Sequence, residues 1–335
     1  MKGEDKMNQL IVKYTANVSG CLPVFNEGYQ YNVNESIIED NLYSVEIFSN
    51  QLPTSISFNG NINLIEVHYI NTKNLTSTYN LFKNCTNLTY VNLIGADFSN
   101  VETIECMFAY CSNLLFIDGL NDINVSKVNN MGGLFTDCPK IQKIEVNNWD
   151  VSKVTNFGAV FRRCSSLNEI DVSKWDTSNG TIMSGIFTNC SNLTIMDVSN
   201  WIVGNANTIS QMFYGCKKLA TLTLFKYVDP SVQTTLLFGQ CTALNKVKSI
   251  NSDYNTVNIL IDELLARTES DPGTLDIQGV DNLSLVDLEL AKSKHWNVYD
   301  KVNCKPKFIG ADKKPGKIKN GEGKVCIITT HKRKI

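Results

Sequence analysis

Histidine is scarce in this chain, with only His68, His295 and His331 among 335 residues. None has a second His or Cys at metal-ligand spacing in its own stretch, and no Cys-x-x-Cys pair occurs. A structural zinc site is therefore disfavoured, and no metal or other cofactor is expected. Also missing are a Gly-x-Ser-x-Gly elbow, a phosphate-cradling Gly-Lys-Ser/Thr loop and a dinucleotide fingerprint. Nothing places a nucleophile, a base and an oxyanion site together, so the chain is expected not to be an enzyme. No apolar run approaches the length that crosses a membrane. Met1–Met7 carries acids and Leu10-Ile-Val12 is short for the apolar core of a leader, so no secretory signal is recognised, and no Leu-Pro-x-Thr-Gly wall anchor follows at the C-terminus. The remaining composition, 43% apolar and 19% charged, is ordinary for a soluble protein.

What the chain has in abundance is repetition. Phe161, Cys164, Leu167, Ile170, Val172 and Trp175 mark a unit that recurs from about residue 61 to residue 250. The cysteines of successive units are Cys85, Cys111, Cys138, Cys164, Cys190, Cys216 and Cys241. Their period is about 26 residues, lengthened by one between Cys111 and Cys138 and shortened by one between Cys216 and Cys241. A fixed period of this length predicts a solenoid whose repeats bury their apolar sides against their neighbours. Leu167, Ile170 and Val172 follow a Leu-x-x-Leu-x-Leu pattern. Ile170 and Val172 alternate with Glu169, Asp171 and Ser173, as in a short strand with one buried face. Stacking predicts a parallel sheet, with the Met183 to Phe187 region crossing the other side as a short helical turn. Trp149, Trp175 and Trp201 recur with the same period and predict a stacked column. Neighbouring ladder cysteines would lie about 5 Å apart, within disulfide range, but their parallel side-chain vectors disfavour bonding, so buried free thiols are expected. Cys21, Cys106, Cys304 and Cys326 fall outside the ladder, and pairing of Cys304 with Cys326 stays open.

Trp-Asp-Val-Ser at 149–152, Trp-Asp-Thr-Ser at 175–178 and the Phe-x-x-Cys-x-x-Leu units resemble the BspA-type leucine-rich repeats of bacterial surface proteins. The resemblance covers roughly residues 61–250. It implies an α/β solenoid of leucine-rich-repeat type, with a parallel β-sheet on its concave face. For function it implies adhesion or binding to a protein or a cell-surface glycan, without naming the ligand. The expected place is a cell surface, or a virion, whose proteins need no signal peptide.

Outside the repeats, residues 1–60 read as a β-rich N-terminal cap, with strands at Leu10–Tyr14, Ser44–Phe48 and Ser55–Phe58. Leu64, Val67 and Tyr69 look like a degenerate first repeat strand. Residues 251–300 read as an α/β C-terminal cap. A helix is expected over 256–267, a strand at 275–277, a second helix over 285–294 and a strand at 296–298, an order that resembles the unit closing BspA-type repeats. Residues 301–335 form a basic tail with eleven Lys or Arg against Asp312 and Glu322, a net of +9 in a chain of net −2. Val325–Thr330 is a strand candidate within it. The tail is either a solvated end or a docking arm for an acidic partner such as a virion protein. Nucleic acid is disfavoured because Phe308 is its only aromatic residue.

The candidate binding surface is the outward side of the strands. One column reads His68, Asn92, Asp118, Glu145, Asp171, Asp197, Thr223 and Lys248. The column two residues earlier reads Glu66, Tyr90, Phe116, Lys143, Glu169, Ile195, Thr221 and Lys246. Four consecutive carboxylates beside two exposed aromatics select Tyr90, Phe116, Asp118, Glu145, Glu169, Asp171 and Asp197 as recognition residues. The plain alternative is that Asp suits the repeat and is merely solvated. The expected use is a recognition surface, and the alternatives are a spacer in a phage virion structural or decoration protein and an intracellular inhibitor presenting an acidic face.

Overall fold

The computed structural model describes residues 9–299. The basic tail at 301–335, with its Val325–Thr330 strand candidate, its two cysteines and His331, lies outside the described residues.

In chain order the strands are β1 (Gln9–Ala16), β2 (Val24–Phe25), β3 (Asn32–Glu39), β4 (Leu42–Ser49), β5 (Ile56–Ser57), β6 (Leu64–Ile70), β7 (Tyr90–Asn92), β8 (Phe116–Asp118), β9 (Ile195–Asp197), β10 (Thr221–Thr223), β11 (Lys246–Lys248), β12 (Gly273–Asp276) and β13 (Trp296–Tyr299). Two α-helices, α1 (Tyr254–Glu263) and α2 (Leu288–Ser293), flank β12. The molecule is a β-solenoid of about nine turns with parallel sheets.

One coil shows why the repeat residues sit where they do. Phe161 is fully buried, and its ring stacks on Phe135 at 5.9 Å and Phe187 at 5.3 Å. The same column runs without a gap from Phe58 to Phe238. Trp175 stacks between Trp149 and Trp201 at 6.4 and 6.1 Å, as its period predicts. Its indole Nε1 donates to Val146 O at 3.1 Å, which answers the one polar atom that burial would otherwise orphan. Buried apolar residues from Ile11 to Val298 join into one continuous cluster, so each coil completes its core with the coils on either side.

The main sheet is continuous at the two ends and thin in the middle. At the N-terminal end the order is β3-β4-β1-β6-β7-β8, and at the C-terminal end β13-β12-β11-β10-β9. Between them only a Lys143–Glu169 bridge remains, so the strand expected at Ile170–Val172 is reduced to its edge. The break begins in the one lengthened step, between Cys111 and Cys138. There Gly119, at φ 74°, turns the chain out of β8 into a 3-10 turn at Leu120–Asp122. A Cβ on Gly119 would come within 2.5 Å of Ile94 N, so only glycine fits this close approach.

Half a coil away lies a second parallel ladder, which the sequence did not announce. Bridges link Ser77, Thr103, Asn130, Asn156, Ile182, Thr208 and Gln233 in unbroken succession. The turns that follow replace the helical crossing expected at Met183–Phe187. Phe157, Ala159, Phe161 and Arg163 donate to the next coil, while Arg162 and Cys164 donate three residues back. This alternation sets two residues per coil, four apart, at positive φ, for example Ala159 (56°) with Arg163 (60°) and Gly185 (64°) with Asn189 (60°). A right-handed helix does not tolerate such residues.

The N-terminal strands continue the solenoid sheet. β1 pairs antiparallel with β4 and β6, and β6 pairs parallel with β7. A register shift opposite Lys13 and Tyr14 places Ile70 inside and leaves Tyr69 exposed, reversing the inward role read for Tyr69. At the other end α1 stops at Glu263, short of the expected Arg267, because Leu264 turns extended at ψ 133°. Asp253 caps α1, its carboxylate accepting from Thr256 N at 2.8 Å. β12 and β13 then extend the parallel sheet in register.

Candidate functional site

The strand pairing joins the N-terminal part of the expected surface in one ladder, and the remaining residues lie on coils outside that ladder. Tyr90 lies opposite Phe116, and Asn92 opposite Asp118, in the β7–β8 ladder. Tyr90 Oη reaches diagonally to donate to Asp118 Oδ2 at 2.8 Å. Limited burial, followed by that carboxylate and by Glu66, pushes the Tyr90 hydroxyl up to about 12, so it stays a donor throughout the physiological range. Phe116 stands beside this pair with 64% of its surface exposed.

The neighbouring strand adds residues that the column alignment placed on the face without assigning them to the site. His68 Nε2 lies 2.7 Å from Thr15 Oγ1 and 3.5 Å from Glu66 Oε2, and its ring centroid is 6.3 Å from that of Tyr90. The Thr15 contact arises only because β1 inserts beside β6, so no local signal marks it. Ile94, 66% exposed just past β7, widens the apolar part of the patch. The result is an exposed aromatic and aliphatic surface whose polar neighbours are already hydrogen-bonded to one another.

The four-carboxylate column is not carried by one continuous strand ladder. Among the described residues no ladder pairing joins Asp118 to Glu145 or Asp171 to Asp197. Glu145 is held by Lys143 at 2.5 Å, with both side chains more than half exposed, and Lys143 is bridged through its backbone to Glu169. Asp171 Oδ1 accepts from Ser173 N at 3.0 Å and Ser173 Oγ at 2.7 Å, bonds that hold its carboxyl below the usual range. Asp197 Oδ1 accepts from Ser199 N at 2.9 Å. These two aspartates therefore anchor the turns that follow their strands, as short polar side chains commonly do. Like charges in a column repel, and each carboxylate here has a local donor: Tyr90 for Asp118, Lys143 for Glu145, and turn donors for Asp171 and Asp197.

The ladder cysteines have a role that their small size alone does not explain. Each Sγ donates to the Phe carbonyl of the preceding coil, as Cys164 does to Phe135 O at 3.2 Å and Cys190 to Phe161 O at 3.0 Å. The nine described cysteines are free thiols. Burial pushes Cys138 and Cys190 up to about 12, which suppresses the thiolate that nucleophilic or metal chemistry needs. No group of three or more His, Cys, Asp or Glu among the described residues is placed to hold a metal ion, and no described helix is long and apolar enough to cross a membrane.

No curated protein and no solved structure matches the chain. A family model does match, over residues 2–115, 107–227 and 134–252. The second and third matches begin at positions 107 and 134, one coil apart, as expected when a multi-repeat pattern slides along a solenoid. Together the matches run from residue 2 to residue 252, which is 251 of 335 residues and takes in the strands before the first repeat. The chain belongs to the family described as Mycoplasma protein of unknown function, DUF285.

Proposed function

We propose that this protein is a non-enzymatic recognition module, a BspA-like solenoid of leucine-rich-repeat type displayed on a cell or virion surface. The N-terminal strands and the α1–β13 unit act as caps in this reading. Its contact surface is the outward face of β6, β7 and β8. The carrying observation is Phe116, 64% exposed on β8 beside the Tyr90–Asp118 hydrogen bond. A large exposed aromatic ringed by satisfied polar groups is the usual form of a binding hot spot, because a partner gains apolar burial without stranding a donor. The ligand is a protein or a glycan. The carboxylates of the C-terminal half favour a second role there. Asp171 and Asp197 serve their own turns, which suits a spacer that carries the contact surface at a distance.

The test is affinity capture with the intact protein, partners being read by mass spectrometry. Phe116→Ala is expected to lose the captured partner while its melting temperature moves by no more than a degree or two. Asp171→Asn with Asp197→Asn, which keeps the turn-forming geometry, is expected to retain it. Retention by Phe116→Ala together with loss in the aspartate double variant would move the contact surface to the acidic coils.

A further inference from the structure

Among the described residues the coil stack ends on two different strand edges. β13 closes one end with its large apolar side chains already buried, Trp296 at 3% and Val298 at 7% exposed. β3 closes the other end uncovered. All eight of its residues are exposed, and the adjacent Ile37 and Ile38, at 73% and 54%, leave apolar surface open on both faces. An edge of this kind offers a row of unpaired backbone groups to any incoming strand.

The charge around β3 describes what fits. Residues 9–60 carry five acids, among them Glu35, Glu39 and Asp40, against the single base Lys13, which is already paired with Glu46. The chain itself holds a complementary segment. Lys324 precedes Val325-Cys-Ile-Ile-Thr-Thr330, a β-branched run followed by His331 and three cations. Residues 251–299 are also acidic, with nine acids against three bases, so charge alone does not choose the edge. The uncovered isoleucines of β3 do.

We propose that residues 324–330 of one copy add as an antiparallel strand to the β3 edge of a second copy, joining the molecules head to tail. Aligning Lys324 with Glu39 sets Val325 and Cys326 opposite Ile38 and Ile37, and Thr330 opposite Val33. The donor is a second copy because β3 lies twelve strand positions from β13, about 58 Å at the usual spacing. The segment from 300 to 324 has an extended limit of about 85 Å. A flexible segment of that length spans about 25–30 Å on average, so reaching the β3 of its own chain would hold it stretched to about twice that distance along the stack. The end of one molecule meets the start of the next without that path. Such a contact is heterologous, so it does not close on itself and predicts open chains of copies.

Sedimentation velocity on the full-length protein tests this with two variants. Ile37→Lys with Glu39→Lys removes the acceptor edge, since an exposed edge lysine blocks pairing. Ile327→Lys with Ile328→Lys removes the donor. The unmodified protein is expected to form concentration-dependent oligomers, each variant alone to stay monomeric, and the mixture of the two to give a 1:1 dimer. A synthetic 322–335 peptide is expected to dissolve the oligomers, and to lose at least tenfold in affinity for the edge variant. A full-length protein that remains monomeric at every concentration overturns the proposal. So does an edge variant that still associates, or a mixture that forms no dimer.

Discussion

At the scale of single residues, the most demanding positions are the left-handed ones. Each repeat coil needs two, and they are filled unevenly: Gly133, Gly185 and Gly215 take some, while Cys106, Ala159 and Leu236 take others. A residue with a Cβ is strained there by about 1–2 kcal/mol, whereas glycine loses about 0.4–1 kcal/mol more chain entropy on folding. Ala159→Gly is therefore expected to stabilise the protein by about 0.5 kcal/mol, the difference between those two effects. Gly185→Ala is expected to destabilise it by about 1–2 kcal/mol, because its φ is 64° and its new Cβ meets Thr188 Oγ1 at 3.1 Å. Urea midpoints at unchanged slope measure both. If the two changes shift the midpoint in the same direction, the left-handed turns do not limit stability. None of this was legible beforehand, because Ala159 and Leu236 carry no turn signal of their own. The glycines hint at it only once the four-residue offset is known.

At the scale of the element, the thiol ladder behaves as a unit. Burial raises the folded value of Cys138 and Cys190 from an ordinary 9.0 to about 12, and raises Cys164 between them as well. Between those values the unfolded chain releases thiol protons that the folded chain keeps. The ladder's contribution is thus fully present below about pH 9 and is lost as pH rises towards 12, at up to about 1.4 kcal/mol per thiol per pH unit. Thermal melts from pH 8 to 11 are expected to fall steeply. Cys138→Ala with Cys190→Ala should fall less steeply by the share of two thiols, although it starts about 1–2 kcal/mol per site lower for the lost packing and carbonyl bond. An unchanged slope in the double variant would place the alkaline loss elsewhere. That these cysteines are buried and unpaired could be read from their period. That each one satisfies a Phe carbonyl could not, because its partner belongs to the coil before it, far away in sequence.

At the scale of the whole molecule, contacts are local to neighbouring coils, so stability accumulates coil by coil. Excising positions 154–179 removes one full period and rejoins Lys153 to Gly180 in register. The shortened protein is expected to keep its parallel-sheet circular dichroism and unfold cooperatively, with a lower denaturant slope and midpoint. Excising only positions 154–166, half a coil, should abolish folding because it sets the Phe and Trp columns against the wrong neighbours. Equal damage from both deletions would mean that the coils are not interchangeable units.

The sequence by itself determined the coil length, the inward residues and the stacking order. A repeated pattern has one low-energy superposition, the one that lays Phe on Phe, Trp on Trp and Cys beside Cys. It also placed Tyr90, Phe116 and Asp118 on one face, because alternation within a short strand needs only the neighbouring coil. The sequence marked one lengthened step, but only tertiary structure showed that the main sheet thins out from there, where the chain leaves β8 through Gly119. Tertiary structure alone showed that Asp171 and Asp197 also anchor the turns that follow them. It also brought Thr15 to His68 across a strand that no repeat encodes, and left β3 at the edge. An exposed strand such as Asn32–Glu39 has no buried face, so its sequence carries no alternation by which to recognise it.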